Sequence, residues 1–373
     1  MIYLDHAANT PADPAVVQAY CEAAQQYWGN PNSPHGAGAA AHQRLQEATN
    51  AVAAAVGAAP EEVIFTSGAT EANNLAIKGV AEKYGKYGNH IITTALEHAS
   101  VGGALAWLQT QGYDVETVDL LENGQVDTAH LRSLLREDTI LVSVCAVDSE
   151  IGTCQPIEAI AALLAGRPHC FLHVDATQAI GKVPVPVSGV HLMSFSGHKF
   201  HGLNGGGVLL KKQDVLLAPQ MHGGISTTAF RSGTPDLPQA VAMEEALRRA
   251  MSAREDHFAQ VARQNEMLRA GLARHAAVRI NSPQDASPYI LNISLPGLRT
   301  ETIQQQLAER NIYVATKSAC CAPNTASRPV YALTRDRRAA LSTLRISLGF
   351  TTRDEEIAAF LECFADLMKP SKG

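Results

Sequence analysis

Two stretches decide the reading of this chain: Phe171-Leu172-His173-Val174-Asp175-Ala176-Thr177-Gln178 and Leu192-Met193-Ser194-Phe195-Ser196-Gly197-His198-Lys199. Each is an apolar run that ends in polar residues, the first in an aspartate, the second in a lysine. About one crossover unit separates them. A lysine amine can hold the aldehyde of pyridoxal phosphate as a Schiff base. A carboxylate can keep that cofactor's ring nitrogen protonated, so that the ring acts as an electron sink. For an isolated pair the competing reading is a surface lysine after a core strand and an aspartate capping a helix. The flanking residues decide against it.

Outward from this pair, apolar runs alternate with helical patterns from about residue 60 to 210. The expected strands are Val63 to Thr66, His90 to Thr93, Val115 to Val118, Ile140 to Val144, Phe171 to Val174, Leu192 to Phe195 and Gly207 to Leu210. Helical patterns such as Thr70 to Lys83 and Ile157 to Leu164 lie between most of them. This alternation predicts an α/β fold with a mostly parallel sheet covered on both faces. The short gap at Gly205-Gly206-Gly207 predicts one antiparallel strand near its end. The Ala-rich run Ala37 to Ala59 reads as a helix by propensity. Leu237 to about Leu272 reads as a long helix bridging two domains. A smaller α+β unit follows: strands Tyr289 to Leu295 and Leu344 to Leu348, helices Thr300 to Arg310 and Asp354 to Met368. The turn-rich stretch Ala322 to Ser327 is expected to be an exposed, mobile loop. The expected division is a large domain over 13–255 and a small one from 1–12 and 256–373.

A chain of 373 residues suits two domains, and 46% hydrophobic content is ample for a core. A charged content of 18% excludes a disordered chain. A net charge of -6 and 5% aromatics leave no footprint for nucleic acid. No apolar run reaches the roughly 20 residues of a membrane span. The opening Met1-Ile2-Tyr3-Leu4-Asp5-His6 does not read as a signal peptide. Seven cysteines with no metal-like CxxC pair imply no metal site and a reducing cytoplasm.

Further residues add to the chemistry. Thr66-Ser67-Gly68-Ala69-Thr70-Glu71 follows a strand and opens a helix, so its N–H groups and the Thr70 hydroxyl suit an anion. It is not GxGxxG and no Walker lysine follows, which disfavours a dinucleotide or nucleoside triphosphate. Ser196 and His198 could add phosphate donors. His98, just after the strand His90 to Thr94, could stack on a cofactor ring, or else cap a helix or fill the core. Arg345 lies inside an apolar strand and must be paired, by an internal carboxylate or by that of an amino-acid substrate. Cys320, in Lys317-Ser318-Ala319-Cys320-Cys321, is a candidate nucleophile with a cation nearby. By motif, no other lysine stands near Asp175 and His198.

Assembled, these residues resemble the cysteine desulfurases, pyridoxal-phosphate enzymes of the class V aminotransferase group. The resemblance runs from Tyr3-Leu4-Asp5-His6-Ala7-Ala8-Asn9-Thr10-Pro11 to Arg345-Ile346-Ser347-Leu348-Gly349. It includes Gly29-Asn30-Pro31, Asn74-Leu75-Ala76-Ile77-Lys78-Gly79, Met221-His222-Gly223-Gly224 and Arg231-Ser232-Gly233-Thr234, besides the stretches above. It implies the type I fold of that cofactor class, with a seven-stranded, mostly parallel sheet in the large domain. It implies that Lys199 holds the cofactor and shuttles protons, that Asp175 pairs with the ring nitrogen, and that Gln178 contacts the phenolic oxygen. His98 would stack on the ring and act as acid and base. Thr70, Ser196 and His198 would bind the phosphate, with Thr234 from the neighbouring subunit of a homodimer. Asn30 and Arg345 would hold the carboxylate of L-cysteine. Cys320 would attack the substrate sulfur, leaving alanine and a persulfide for an acceptor protein or small thiol.

The chain departs from the family at Ser149, where an asparagine usually contacts the phenolic oxygen, and at Lys317, where a glycine is usual. Ile225-Ser226-Thr227 replaces a third glycine and polar residues. The sequence also stops soon after Met368, without the tail that housekeeping members use to dock a scaffold. Two rival readings stay open: a selenocysteine or cysteine-sulfinate lyase, and a low-activity partner protein with this fold.

Overall fold

The computed structural model describes residues 1–224, 226–317 and 325–369. The strands are β1 (Ile2–Tyr3), β2 (Val63–Thr66), β3 (His90–Thr93), β4 (Asp114–Thr117), β5 (Thr139–Cys145) and β6 (Phe171–Asp175). They continue as β7 (Leu192–Ser196), β8 (Gly207–Lys211), β9 (Arg279–Ile280), β10 (Ile290–Ser294), β11 (Ile312–Tyr313) and β12 (Thr343–Ser347). Seven of them form one sheet in the order β2-β8-β7-β6-β5-β3-β4. Every pair in it is parallel except those of β8, which runs antiparallel to both β7 and β2. This is the single reversal that the glycine-rich gap predicts.

β5, β6, β7 and β8 are buried at every residue, as strands covered on both faces must be. Their polar residues are therefore paired. His173 lies in mid-sheet, its Nδ1 2.8 Å from Ser143 Oγ on β5 and its Nε2 2.9 Å from Ser194 Oγ on β7. Burial pushes this imidazole down to about 4, so it is neutral in the sheet. Helix Ala69–Tyr84 packs on the sheet through Ala72, Leu75, Ala76, Ile77 and Val80, a 3.6-residue stripe. At the start of β8, a Cβ on Gly207 would stand 2.5 Å from Gly68 Cα. Two backbones meet there, and only glycine allows the contact.

Two helical expectations need correction. The helix expected to reach Ala59 spans Gly36–Val56. Gly57 ends it in the left-handed region at φ 71°, with its N–H on the carbonyls of Ala53 and Ala54. The single bridge from Leu237 to Leu272 is two helices, Leu237–Ser252 and Arg254–Leu272, parted at Ala253. The first buries Leu237, Ala240 and Val241 with the helices before the sheet. The second buries Val261, Leu268 and Leu272 in the smaller core. The break falls where the chain passes from one core to the other.

The smaller core surrounds a sheet in the order β12-β10-β9, antiparallel throughout, with helix Asp354–Leu367 against it. The N-terminus belongs here: β1 pairs in parallel with β11, and Leu4 and Ala7 are buried in this core. Ser327, expected in an exposed loop, is buried. Its hydroxyl donates to Glu150 at 2.6 Å and accepts from the Val330 N–H at the start of helix Arg328–Thr334. Among the described residues, no helix is long and apolar enough to cross a membrane.

Phe360 is fully buried in the smaller core, beside Phe364 at 5.8 Å between ring centroids. Phe360→Ala should destabilise the protein by about 3–5 kcal/mol, because a cavity is left in a packed core. Urea unfolding followed by circular dichroism measures this, and a loss below about 1 kcal/mol would show a core that closes around the gap.

Candidate active site

The sheet reverses its order between β3 and β5: the chain runs outward from β3 to β4, then returns to the other side of β3 with β5. In such sheets ligands lie at the carboxyl ends of the strands on either side of the switch. A cavity of about 350 Å³ occupies this place. Asp175, His98, Ser149, Gln178, His198, Lys199, Thr70 and Arg345 all line it. Residues far apart in sequence meet because they end or follow neighbouring strands.

Asp175 ends β6 and is 5% exposed. Its Oδ2 accepts from Asn73 Nδ2 at 2.8 Å and its Oδ1 from the Thr177 N–H at 3.0 Å. Asn73 is fully buried, one helical turn beyond Thr70, and also donates to Ser100 Oγ. Sequence reasoning passed over Asn73. An amide one turn beyond Thr70, on the same helix, was the available signal.

Lys199 follows β7 in the short turn Gly197–Lys199. Its Nζ donates to the carbonyls of Ala7 at 2.8 Å and Ala8 at 2.6 Å. The N-terminal segment is itself pinned: Thr10 Oγ1 donates to the His198 carbonyl and accepts from the His201 N–H, each at 2.8 Å. Burial, then the charge of Lys199, lowers His198 to about 4. His198 Nδ1 lies 2.9 Å from Ser196 Oγ. Ser196 is fully buried, donates to the Gly206 carbonyl, and stands behind the cavity wall rather than in it. Thr70 is exposed at the rim, in the first turn of helix Ala69–Tyr84, which begins at Gly68 with no side-chain cap.

His98 bears out its helix-cap reading and also lines the cavity. Its Nδ1 accepts from the Ser100 N–H at 3.1 Å and caps helix Ala99–Thr110, while the ring lines the cavity. With Nδ1 accepting, the ring proton rests on Nε2. Burial lowers its pKa, against the neighbouring Asp175, so the neutral form is favoured.

Arg345 is 1% exposed, and its pairing is internal. Nη2 donates to Asp5 Oδ1 at 2.8 Å and Nη1 to the Ser149 carbonyl at 2.9 Å, while Nε has no partner among the described residues. Asp5 is a second residue that the sequence reading did not single out. Gln178 donates from Nε2 to the Ala7 carbonyl at 2.8 Å and accepts at Oε1 from Lys182 Nζ at 3.1 Å. Lys182 corrects the expectation that Lys199 has no lysine neighbour. It is buried one turn beyond Gln178, and that i,i+4 spacing was its signal.

Asn30 and Thr234 are exposed and do not line the cavity. Cys320 and Cys321 lie outside the described residues. Lys317 donates to Thr325 at the carbonyl, 2.9 Å, and at Oγ1, 3.0 Å.

The cavity thus offers a held carboxylate, an amine, and a helix N-terminus with bare N–H groups, the last a general anion site. A family model described as aminotransferase class-V matches residues 2–360. The chain belongs to the class-V aminotransferase family. Among relatives in this family, the cysteine desulfurase IscS of Pectobacterium atrosepticum is 40% identical over 97% of this chain and 91% of its own. A solved NifS-like protein superposes with a TM-score of 0.92 at 33% identity, covering 98% of this chain and 99% of its own. A second structure, SspA in complex with cysteine, has a TM-score of 0.82 at 29% identity, over 94% and 99%. The architecture is the type I fold of pyridoxal-phosphate enzymes, with its mostly parallel central sheet.

Two buried carboxyls stand behind the site. Burial raises Glu97 to about 8 and Asp148 to about 7, the latter helped by Glu150. Glu97 Oε1 accepts from Thr94 Oγ1 and the Cys145 N–H, and Oε2 has no partner among the described residues. A carboxyl whose folded pKa lies above its ordinary 4.5 contributes stability that is full below 4.5 and lost as pH rises through about 8. Glu97→Gln has no charge to bury. Its stability relative to wild type should therefore rise between pH 5 and pH 9, by more than about 1 kcal/mol. Denaturant midpoints at the two pH values measure this, and a difference independent of pH would contradict it.

Proposed function

We propose that this protein is a cysteine desulfurase that uses pyridoxal phosphate to convert L-cysteine to L-alanine, keeping the sulfur as a persulfide. The observation that carries this reading is the single cavity in which Asp175, Lys199 and the bare start of helix Ala69–Tyr84 converge, in a chain 40% identical to a cysteine desulfurase. The donor set fits the cofactor's three handles. The helix start, Thr70 and His198 suit its phosphate. The Lys199 amine suits its aldehyde, and the Asp175 carboxylate suits a protonated ring nitrogen. Ser196 would act on the phosphate through His198, which it contacts. When bound, the cofactor supplies an electron sink for the substrate's Cα.

The chain's own residues do the rest. Asn73 and the Thr177 N–H keep both oxygens of Asp175 in fixed directions, so its charge stays aimed at one point. Lys199 takes and returns the substrate's Cα proton. His98 offers a flat ring and an Nε2 proton at the same wall. Arg345 binds the substrate carboxylate with the part of its fork that Asp5 leaves, and Asp5 holds that fork in plane. Gln178 would contact the cofactor's phenolic oxygen, and Ser149, which lines the same cavity, would reach it with a hydroxyl shorter than an asparagine amide. The Cys320 thiolate would attack the substrate sulfur: the S–S bond forms as the Cβ–S bond breaks, the electron pair goes to the carbon that takes a proton to become alanine's methyl, and the persulfide then passes to an acceptor protein or small thiol.

The working form in this reading is a cytoplasmic homodimer. Asn30 and Thr234, exposed and away from this chain's own cavity, would then complete the partner's site. The division into 13–255 and 1–12 with 256–373 follows the two cores and is part of the same proposal.

The test is incubation of the purified protein with L-cysteine and a thiol, with alanine and sulfide measured together. Equal yields are expected, and no alanine would sink the reading. Asp175→Asn should retain the cofactor but lose about 10²-fold or more in rate, because a fixed charge that acts in the transition state is gone. An unchanged rate would make Asp175 structural only. Cys320→Ser should abolish persulfide, seen by mass spectrometry. Retention of most turnover would favour a lyase instead.

A further inference from the structure

Lys182 has no part in the function above, yet it is 6% exposed beside the reactive lysine. Among the described residues no carboxylate pairs with it. Its Nζ donates to Gln178 Oε1 at 3.1 Å, and the Tyr289 ring centroid lies 5.7 Å away. Lys199 and Arg345 face it as like charges, and His6, His198 and His201 lie within its field. Lys182 and Lys199 also border a shared cavity of about 20 Å³ behind the main one.

A continuous path joins the two lysines. Lys182 Nζ donates to Gln178 Oε1, Gln178 Nε2 donates to the Ala7 carbonyl, and Lys199 Nζ donates to that same carbonyl. An amide can be placed either way round. An ammonium has three donors and no acceptor, so only Oε1 can face Lys182, and Nε2 is then turned toward Ala7. We propose that Lys182 is a positioning residue of this site: it fixes the orientation of the Gln178 amide and, through the Ala7 carbonyl, the placement of the Lys199 amine. The inference rests on Lys199 being the reactive lysine.

The path has a titration built into it. Burial first, then Lys199 and Arg345, lowers Lys182 to about 7. Below that pH the ammonium only donates. Above it the neutral amine can also accept, and the constraint on Gln178 relaxes. The surroundings of Lys199 therefore change near neutral pH even where Lys199 itself keeps its proton state.

The experiment follows acylation of Lys199 by acetic anhydride against pH, with peptide mass spectrometry, in protein freed of cofactor. The wild type should show a step near pH 7 in the rate profile. Lys182→Met, which keeps the side chain's shape and removes the amine, should lose that step, and the midpoint of the visible-band titration of the loaded enzyme should move. A step that persists in Lys182→Met would overturn the proposal. Gln178→Glu leaves Lys182 in place and decides the matter if Lys182→Met does not fold. Its carboxylate would favour the ammonium and push the step upward by more than one pH unit, and a step still at pH 7 would overturn the proposal. Pyridoxal phosphate should protect Lys199 from acylation in the wild type. Without protection, the reading of Lys199 falls and this inference with it. Protection with a step that Lys182→Met leaves unchanged removes this inference alone.

Discussion

Two backbone carbonyls, those of Ala7 and Ala8, hold the arrangement together. Both accept from Lys199, and the first also accepts from Gln178. The segment that carries them enters from the smaller core, where β1 pairs with β11 and the Ser347 hydroxyl accepts the Ala7 N–H. It then crosses to the large sheet, where Thr10 joins His198 and His201. A strand from one core thus delivers acceptors to a lysine on the other. A backbone carbonyl cannot rotate away as a side chain can, so the lysine is placed by the docking of the two cores.

Electrostatics at the cavity follow from the same closure. Two basic side chains, Lys199 and Arg345, line the cavity, and a third, Lys182, is buried behind them with its ammonium disfavoured. The carboxylates are few: Asp175 on one wall, Glu71 on another where it pairs with Arg231, and Asp5 on Arg345. Glu97 and Asp148 lie nearby, but burial keeps them protonated well above the usual carboxylate range. The histidines His6, His173, His198 and His201 are neutral for the mirror-image reason, since burial disfavours their cations. The cavity wall thus carries the basic groups Lys199 and Arg345 and the acidic groups Asp175 and Glu71, the last already paired with Arg231.

The large sheet was legible in the sequence because its strands are short, apolar on both faces and separated by helical patterns. β8 was legible as the reversed strand because its glycines mark a tight return. Boundaries failed where a single residue's conformation decides them, as at Gly57 and Ala253. Ser327 was misjudged because turn composition does not reveal that a serine will cap a helix and meet a buried glutamate. Asp175, Lys199, His198 and Arg345 stood out because each is a polar or charged residue in or just after an apolar run.

By itself the sequence determined the α/β architecture and the chemistry of the principal groups, since periodicity and residue type are local properties. It also determined that Arg345 must be paired, because an unpaired buried guanidinium is too costly. Only the tertiary structure decided with whom. Asp5, Asn73, Lys182 and the two alanine carbonyls are brought to the site by strand order and by the docking of two cores. Whether a histidine caps a helix, lines a cavity or does both, as His98 does, depends on which neighbours fill its remaining directions. That is set by packing at long sequence range, and no local pattern encodes it.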